Sequence, residues 1–117
     1  MGMQVIGRET FKQGDAMITL TKNGIYFSRT AVKYFKLQPG QYLFFINDDN
    51  DWYFYKTLDT DAFNLVRKDG GKSGLEIMSR PLARMLIRSM KVKLRQRLVL
   101  TDTKRKHGNE TLIKIGE

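Results

Sequence analysis

The chain has 117 residues, of which 41% are hydrophobic and 28% charged, enough for one compact domain and too apolar for a disordered segment. It contains no cysteine, which excludes a disulfide framework and a thiolate metal site, and no window approaches the ~18 apolar residues that cross a bilayer. The formal net charge is +9 and unevenly placed: residues 1–59 carry 7 basic and 6 acidic side chains, residues 60–117 carry 14 and 6.

The N-terminal residues lack the basic stretch and apolar run of a signal peptide, so a soluble, cytoplasmic protein is expected. The first strand is read over Met17–Thr21, where Ile18 and Leu20 alternate with threonines. Asn23-Gly24 favours a tight hairpin, and Ile25–Phe27 returns from it. Ser28 is placed to cap a short helix over Arg29–Lys36, with Ala31, Val32 and Phe35 on its apolar side. Pro39-Gly40 turns the chain into two strands, Tyr42–Ile46 and Trp52–Lys56, separated by the polar residues Asn47–Asp51.

The second half repeats this order. Phe63–Val66 and Leu75–Met78 read as strands joined by a flexible Asp69–Gly74. Ser79 caps a helix over Arg80–Met90, with Pro81 in the first turn, where its missing N–H does no harm. Val92–Leu100 reads as a long strand, and Thr111–Ile115 can pair with it beyond a polar loop. The expected fold is α+β. It is one domain over residues 1–117, made of two ββαββ units in tandem (residues 17–58 and 62–116) with a pseudo-twofold relation, a mostly antiparallel sheet and two helices.

Residues 18–46 resemble the AbrB/MazE/MraZ swapped-hairpin DNA-binding family. The likeness rests on the apolar positions Ile25, Phe27, Ala31, Phe35 and Leu37, on Lys22, and on the turn Pro39-Gly40. Gly24, Ser28, Val32 and Gln41 depart from the family pattern. Of the family's DNA-facing basic positions Lys22 carries over, while Arg29 and Lys33 lie nearby out of register. The resemblance implies a hairpin, helix and turn. It also implies an assembly of two such units, which one chain could form alone.

Candidate functional residues concentrate in the second half. Lys91, Lys93, Arg95 and Arg97 alternate with Val92 and Leu94 and precede Leu98 and Leu100, so on a strand all four cations share one face. Their spacing, about 6.6 Å at ~3.3 Å per residue, suits tracking a nucleic-acid backbone. Arg80, Arg84 and Arg88 recur every fourth residue as a helix stripe, and Lys104, Arg105 and Lys106 sit with His107 in the polar loop. In Trp52–Tyr55, Trp52 and Phe54 are expected inward, leaving Tyr53 and Tyr55 outward as platforms for base stacking.

Enzyme signals fail. Gly70-Gly71-Lys72-Ser73 has Val66 where a phosphate-binding loop needs its first glycine. Asp48, Asp49 and Asp51 lack the glycine and closing glutamate of a calcium loop, and His107 is the sole histidine. No catalytic residue, metal or cofactor is therefore expected. The sequence points to a nucleic-acid-binding protein, DNA in preference to RNA: a transcriptional regulator or mobile-element accessory protein, able to form a homodimer and without a membrane partner. A single-stranded target is a second version of this reading. An interaction module or antitoxin-like partner that docks on an acidic protein is the alternative.

Overall fold

A computed structural model describes residues 16–67 and 74–116 of the chain. Gly70-Gly71-Lys72-Ser73, and all but Gly74 of the connection read over residues 69–74, lie outside them.

The first hairpin joins β1 (Met17–Leu20) to β2 (Ile25–Phe27). Thr21 closes its turn by donating from N and Oγ1 to the Gly24 carbonyl at 2.8 and 3.1 Å. Ser28 then caps α1 (Arg29–Tyr34), accepting from the Ala31 N–H at 3.1 Å and from the Met17 N–H at 3.1 Å, so one hydroxyl starts the helix and ties it to β1. The strands β3 (Tyr42–Asp48) and β4 (Asp51–Thr57) meet at Asp49 and Asn50, both with φ in the left-handed region (53° and 72°), as a two-residue primed turn requires.

Two short strands, β5 (Phe63–Asn64) and β6 (Val66–Arg67), flank Leu65; β7 (Leu75–Ile77) leads into α2 (Arg80–Met90). The chain ends in a long hairpin of β8 (Arg97–His107) and β9 (Glu110–Ile115).

All pairings are antiparallel, in the order β5-β3-β4-β9-β8-β1-β2-β7-β6. The two edges of this sheet, β5 and β6, are successive in the chain. Leu65 between them is fully buried, donates to the Gln41 carbonyl and accepts from the Gly40 N–H, each at 2.8 Å. The sheet is thereby nearly closed into a barrel, which covers strand edges that would otherwise be open to pairing.

This corrects the expected α+β class. Of the described residues 47% lie in strands and 18% in helices, in one nearly closed, barrel-like nine-stranded sheet. The order strand, strand, helix, strand, strand does recur in the two halves, but they share one sheet rather than each forming its own, because β1 pairs with β8 of the far half (Ile18 opposite Leu98) and β2 with β7 (Tyr26 opposite Glu76). The reason is physical: a lone two-stranded hairpin is marginal in water, and each hairpin gains a third and fourth strand only from the other half.

Three boundaries also differ. The first helix stops at Tyr34, with Phe35 as its cap. The strand expected over Val92–Leu100 begins only at Arg97 and runs on to His107. Lys104-Arg105-Lys106 is consequently not a loop but part of β8. It forms an irregularity in which Lys104 takes φ 60°, and the Lys104 and Arg105 N–H groups donate to Asp102 Oδ1 and Thr103 Oγ1, both at 3.1 Å.

The inward faces supply the core. Phe27 and Phe54 meet edge to face with ring centroids 5.6 Å apart, and Ile18, Leu20, Leu43 and Leu100 are fully buried around them. Trp52 is buried and donates from Nε1 to Ser89 Oγ at 2.7 Å, fastening α2 to β4. Two glycines set the closest approaches. A Cβ on Gly24 would lie 1.9 Å from the Ile77 carbonyl oxygen, and one on Gly74 would lie 1.8 Å from that of Phe27.

Gly24→Ala should therefore cost about 3 kcal/mol, since backbone rather than a side-chain tip stands in the way. Gly108→Ala, at φ 64° with open space around it, should cost about 1 kcal/mol. Urea unfolding of the two variants checks the ranking; equal midpoints would contradict the close packing of β2 on β7.

Candidate nucleic-acid interface

Between Glu76 and Asp102 the sequence has no acidic residue and seven cations: Arg80, Arg84, Arg88, Lys91, Lys93, Arg95 and Arg97. All seven are exposed, and none takes part in an ion pair among the described residues. Three are positioned by α2, which buries Leu82, Ala83 and Leu86 and turns Arg80, Arg84, Met85 and Arg88 outward. Arg80 to Arg88 spans about 12 Å at ~1.5 Å per residue.

The first part of the stripe works against the helix that carries it, while Arg88 in the last turn suits the helix dipole. Like charges four residues apart repel, and Arg80 sits at the positive end of the helix dipole with no acid in the first turn. Each effect costs a few tenths of a kcal/mol. Helix stability therefore gives a reason for Arg88 but none for Arg80 and Arg84.

The remaining four do not line one strand face. Lys91 is the left-handed C-cap of α2 (φ 56°, ψ 44°), and residues 92–96 form a turn before β8 starts at Arg97. In that turn Lys93 N donates to Gln96 Oε1 at 3.0 Å and Gln96 N to the Lys93 carbonyl at 3.1 Å. Arg95 N donates to the Leu20 carbonyl at 2.6 Å, pinning the turn to the end of β1. The expected row with 6.6 Å spacing is thus replaced by a helix stripe running into a fixed turn.

Lys22 joins this region. It is exposed in the β1–β2 turn, next to Thr21 and Leu20, while Gly24 of the same turn packs on Ile77 and the Ser79 N–H where α2 begins. Arg29 and Lys33 are exposed on α1, which is tied through Ser28 to Met17, the other end of β1. Lys104, Arg105 and Lys106 are exposed too, yet Lys104 lies seven residues beyond Arg97 along β8, about 23 Å at ~3.3 Å per residue. The structure therefore gathers eight of the thirteen candidate cations and leaves five elsewhere.

The stacking candidates change most. Tyr53 is 6% exposed, because the Arg105 guanidinium lies over its ring at 5.0 Å and donates from Nη1 to Tyr53 Oη at 3.1 Å. The same guanidinium reaches Asp48 at 3.5 Å. Tyr55 is half-buried, its ring between Phe44 (5.9 Å) and His107 (4.9 Å). Tyr53 is accordingly not the exposed platform expected, although it does sit on the outward face of β4. Asp51 pairs with Lys114 at 3.9 Å, and the described residues hold no group of three or more metal-ligating side chains.

Sequence reasoning missed the turn that organises Lys93 and Arg95. Its signal was present: Lys36 to Gln41 and Lys91 to Gln96 each open with lysine and close with glutamine five residues later. Comparison of the chain with models of protein families, with curated proteins and with solved structures finds no match in any of the three. No helix among the described residues is long and apolar enough to cross a membrane.

Ser79 Oγ accepts from the Leu82 N–H at 3.3 Å and holds the first turn of the helix that carries the stripe. Ser79→Ala should cost about 1 kcal/mol and lower Tm by about 4 °C in a thermal melt.

Proposed function

We propose that this chain binds nucleic acid, duplex DNA before single strands, as a small DNA-binding regulator whose contact surface is α2 and the turn that follows it. The observation that carries this reading is the run of seven exposed cations from Arg80 to Arg97, with no intervening acid and no ion pair among the described residues. Such a run creates a directional positive field and offers guanidinium and ammonium groups to phosphates.

The preference for duplex follows from what the surface lacks. Residues 77–101 contain no aromatic side chain, whereas single-strand binders combine cations with rings on which bases stack. Tyr53 is occupied by Arg105 and Tyr55 is flanked by Phe44 and His107. A surface of cations alone answers to charge density, which is higher on a duplex.

If about four phosphates are neutralised, affinity for duplex should fall on the order of 100-fold between about 50 and 200 mM salt. The triple variant Arg84→Glu, Arg88→Glu, Lys93→Glu should lose at least about 100-fold in affinity while its Tm stays within a few degrees, because all three side chains are exposed. Anisotropy titrations of a labelled duplex at two salt concentrations measure both. A chain that binds no oligonucleotide in a salt-dependent way, and instead co-purifies with one acidic protein, would replace this reading with that of a protein-interaction module.

A further inference from the structure

The turn that follows α1 and the turn that follows α2 are built on the same hydrogen bonds. Lys36 and Lys91 both take left-handed φ (55° and 56°) as their helix ends. Leu37 N donates to the Val32 carbonyl at 2.9 Å, and Val92 N to the Ile87 carbonyl at 3.2 Å. Gln38 N donates to Gln41 Oε1 at 2.9 Å, and Lys93 N to Gln96 Oε1 at 3.0 Å. Gly40 N donates to the Leu65 carbonyl at 2.8 Å, and Arg95 N to the Leu20 carbonyl at 2.6 Å. The frames agree in these three bonds, so residues at matching positions within the turns can be compared as alternatives for one backbone.

Three positions differ in charge: Gln38 against Lys93, Gly40 against Arg95, and Tyr42 against Arg97. The middle one is the informative pair. Gly40 has φ 87° and Arg95 φ 67°, a region that glycine enters freely and a side chain enters at a cost. A Cβ on Gly40 would meet nothing within 4 Å, so packing does not ask for a side chain at this place in the frame. Arg95 is exposed and makes no ion pair among the described residues, so its guanidinium returns nothing visible to the fold. A strained residue without a structural return is a candidate for function.

We infer that Arg95 is a ligand-contacting residue, held at the tip of a rigid turn to bind a phosphate of the nucleic-acid backbone. This rests on the reading of the α2 surface as a DNA contact and assigns one named contact within it. The turn supplies the rigidity that α2 alone does not. Its tip is fixed to β1 through Leu20, so the Arg95 backbone, from which the guanidinium extends, has a set place relative to α2. Glycine would serve the backbone better, as it does at Gly40, and a ligand would give arginine an advantage there.

The test compares the unsubstituted chain with Arg95→Gly and Arg95→Lys, by thermal melting and by duplex titration across a salt series. Arg95→Gly should melt about 2–4 °C higher, since it relieves the left-handed strain, yet bind duplex about 5- to 10-fold more weakly with a salt slope smaller by about 1. Arg95→Lys should keep the slope, because it keeps the charge. If Arg95→Gly binds as tightly as the unsubstituted chain, the role of Arg95 falls while the wider surface stands. If it loses both affinity and Tm, Arg95 holds the turn and the inference is wrong. If the unsubstituted chain binds no duplex even at about 50 mM salt, the reading of the whole surface fails and takes this contact with it.

Discussion

The close pairing of β2 with β7 is the constraint on which the rest of the molecule depends. Tyr26 faces Glu76 at its centre, and at either end a glycine lies where any side chain would strike the opposite backbone, Gly24 at Ile77 and Gly74 at Phe27. That approach sets Phe27 against Phe54 in the core and brings the β1–β2 turn onto the start of α2. Ser79 can then cap the helix, and Trp52 can reach Ser89 from β4. The outward stripe of α2 is therefore aimed by contacts made at its base and along its inner side, not by the cations themselves.

Charge is segregated by this architecture. The two ion pairs among the described residues, Arg105 with Asp48 and Lys114 with Asp51, both involve the β3–β4 turn region. Both are partly solvated and add little to stability. They do bring acids to β8 and β9, while α2 and its turn keep a surface of one sign. Arg105 shows how the same residue type serves differently by location: over Tyr53 it covers a ring and completes a polar contact, whereas Arg84 and Arg88 are exposed and make no ion pair among the described residues.

Much of the local structure was legible in the sequence, and the failures have a common cause. Asn23-Gly24, Ser28 and Ser79 announced a hairpin and two helix starts because their chemistry acts within three or four residues. The Arg80, Arg84, Arg88 stripe was legible for the same reason. Lys91–Arg97 misled because its alternation of cations with Val92 and Leu94 has the period of a strand. The Leu20 carbonyl that bends it into a turn lies some seventy residues away in the sequence. Tyr53 misled differently. Alternation placed it on the outward face correctly, but could not reveal that Arg105 covers that face. The barrel itself escaped notice because closure is decided by which hairpin pairs with which, and a pattern of short strands is silent on that choice.

The pairing of β1 with β8 has a consequence for how the protein is made. Met17 lies opposite Val99, more than eighty positions later in the chain. A topology with so many partners distant in sequence has high contact order, and such chains fold slowly because loop entropy is lost before the contacts form. On the ribosome, the apolar side of the first hairpin emerges long before its neighbour strand is synthesised. Until then Ile18 and Leu20 have no β8 to rest on, and the nascent chain carries an open strand edge that stays uncovered until β8 has been made.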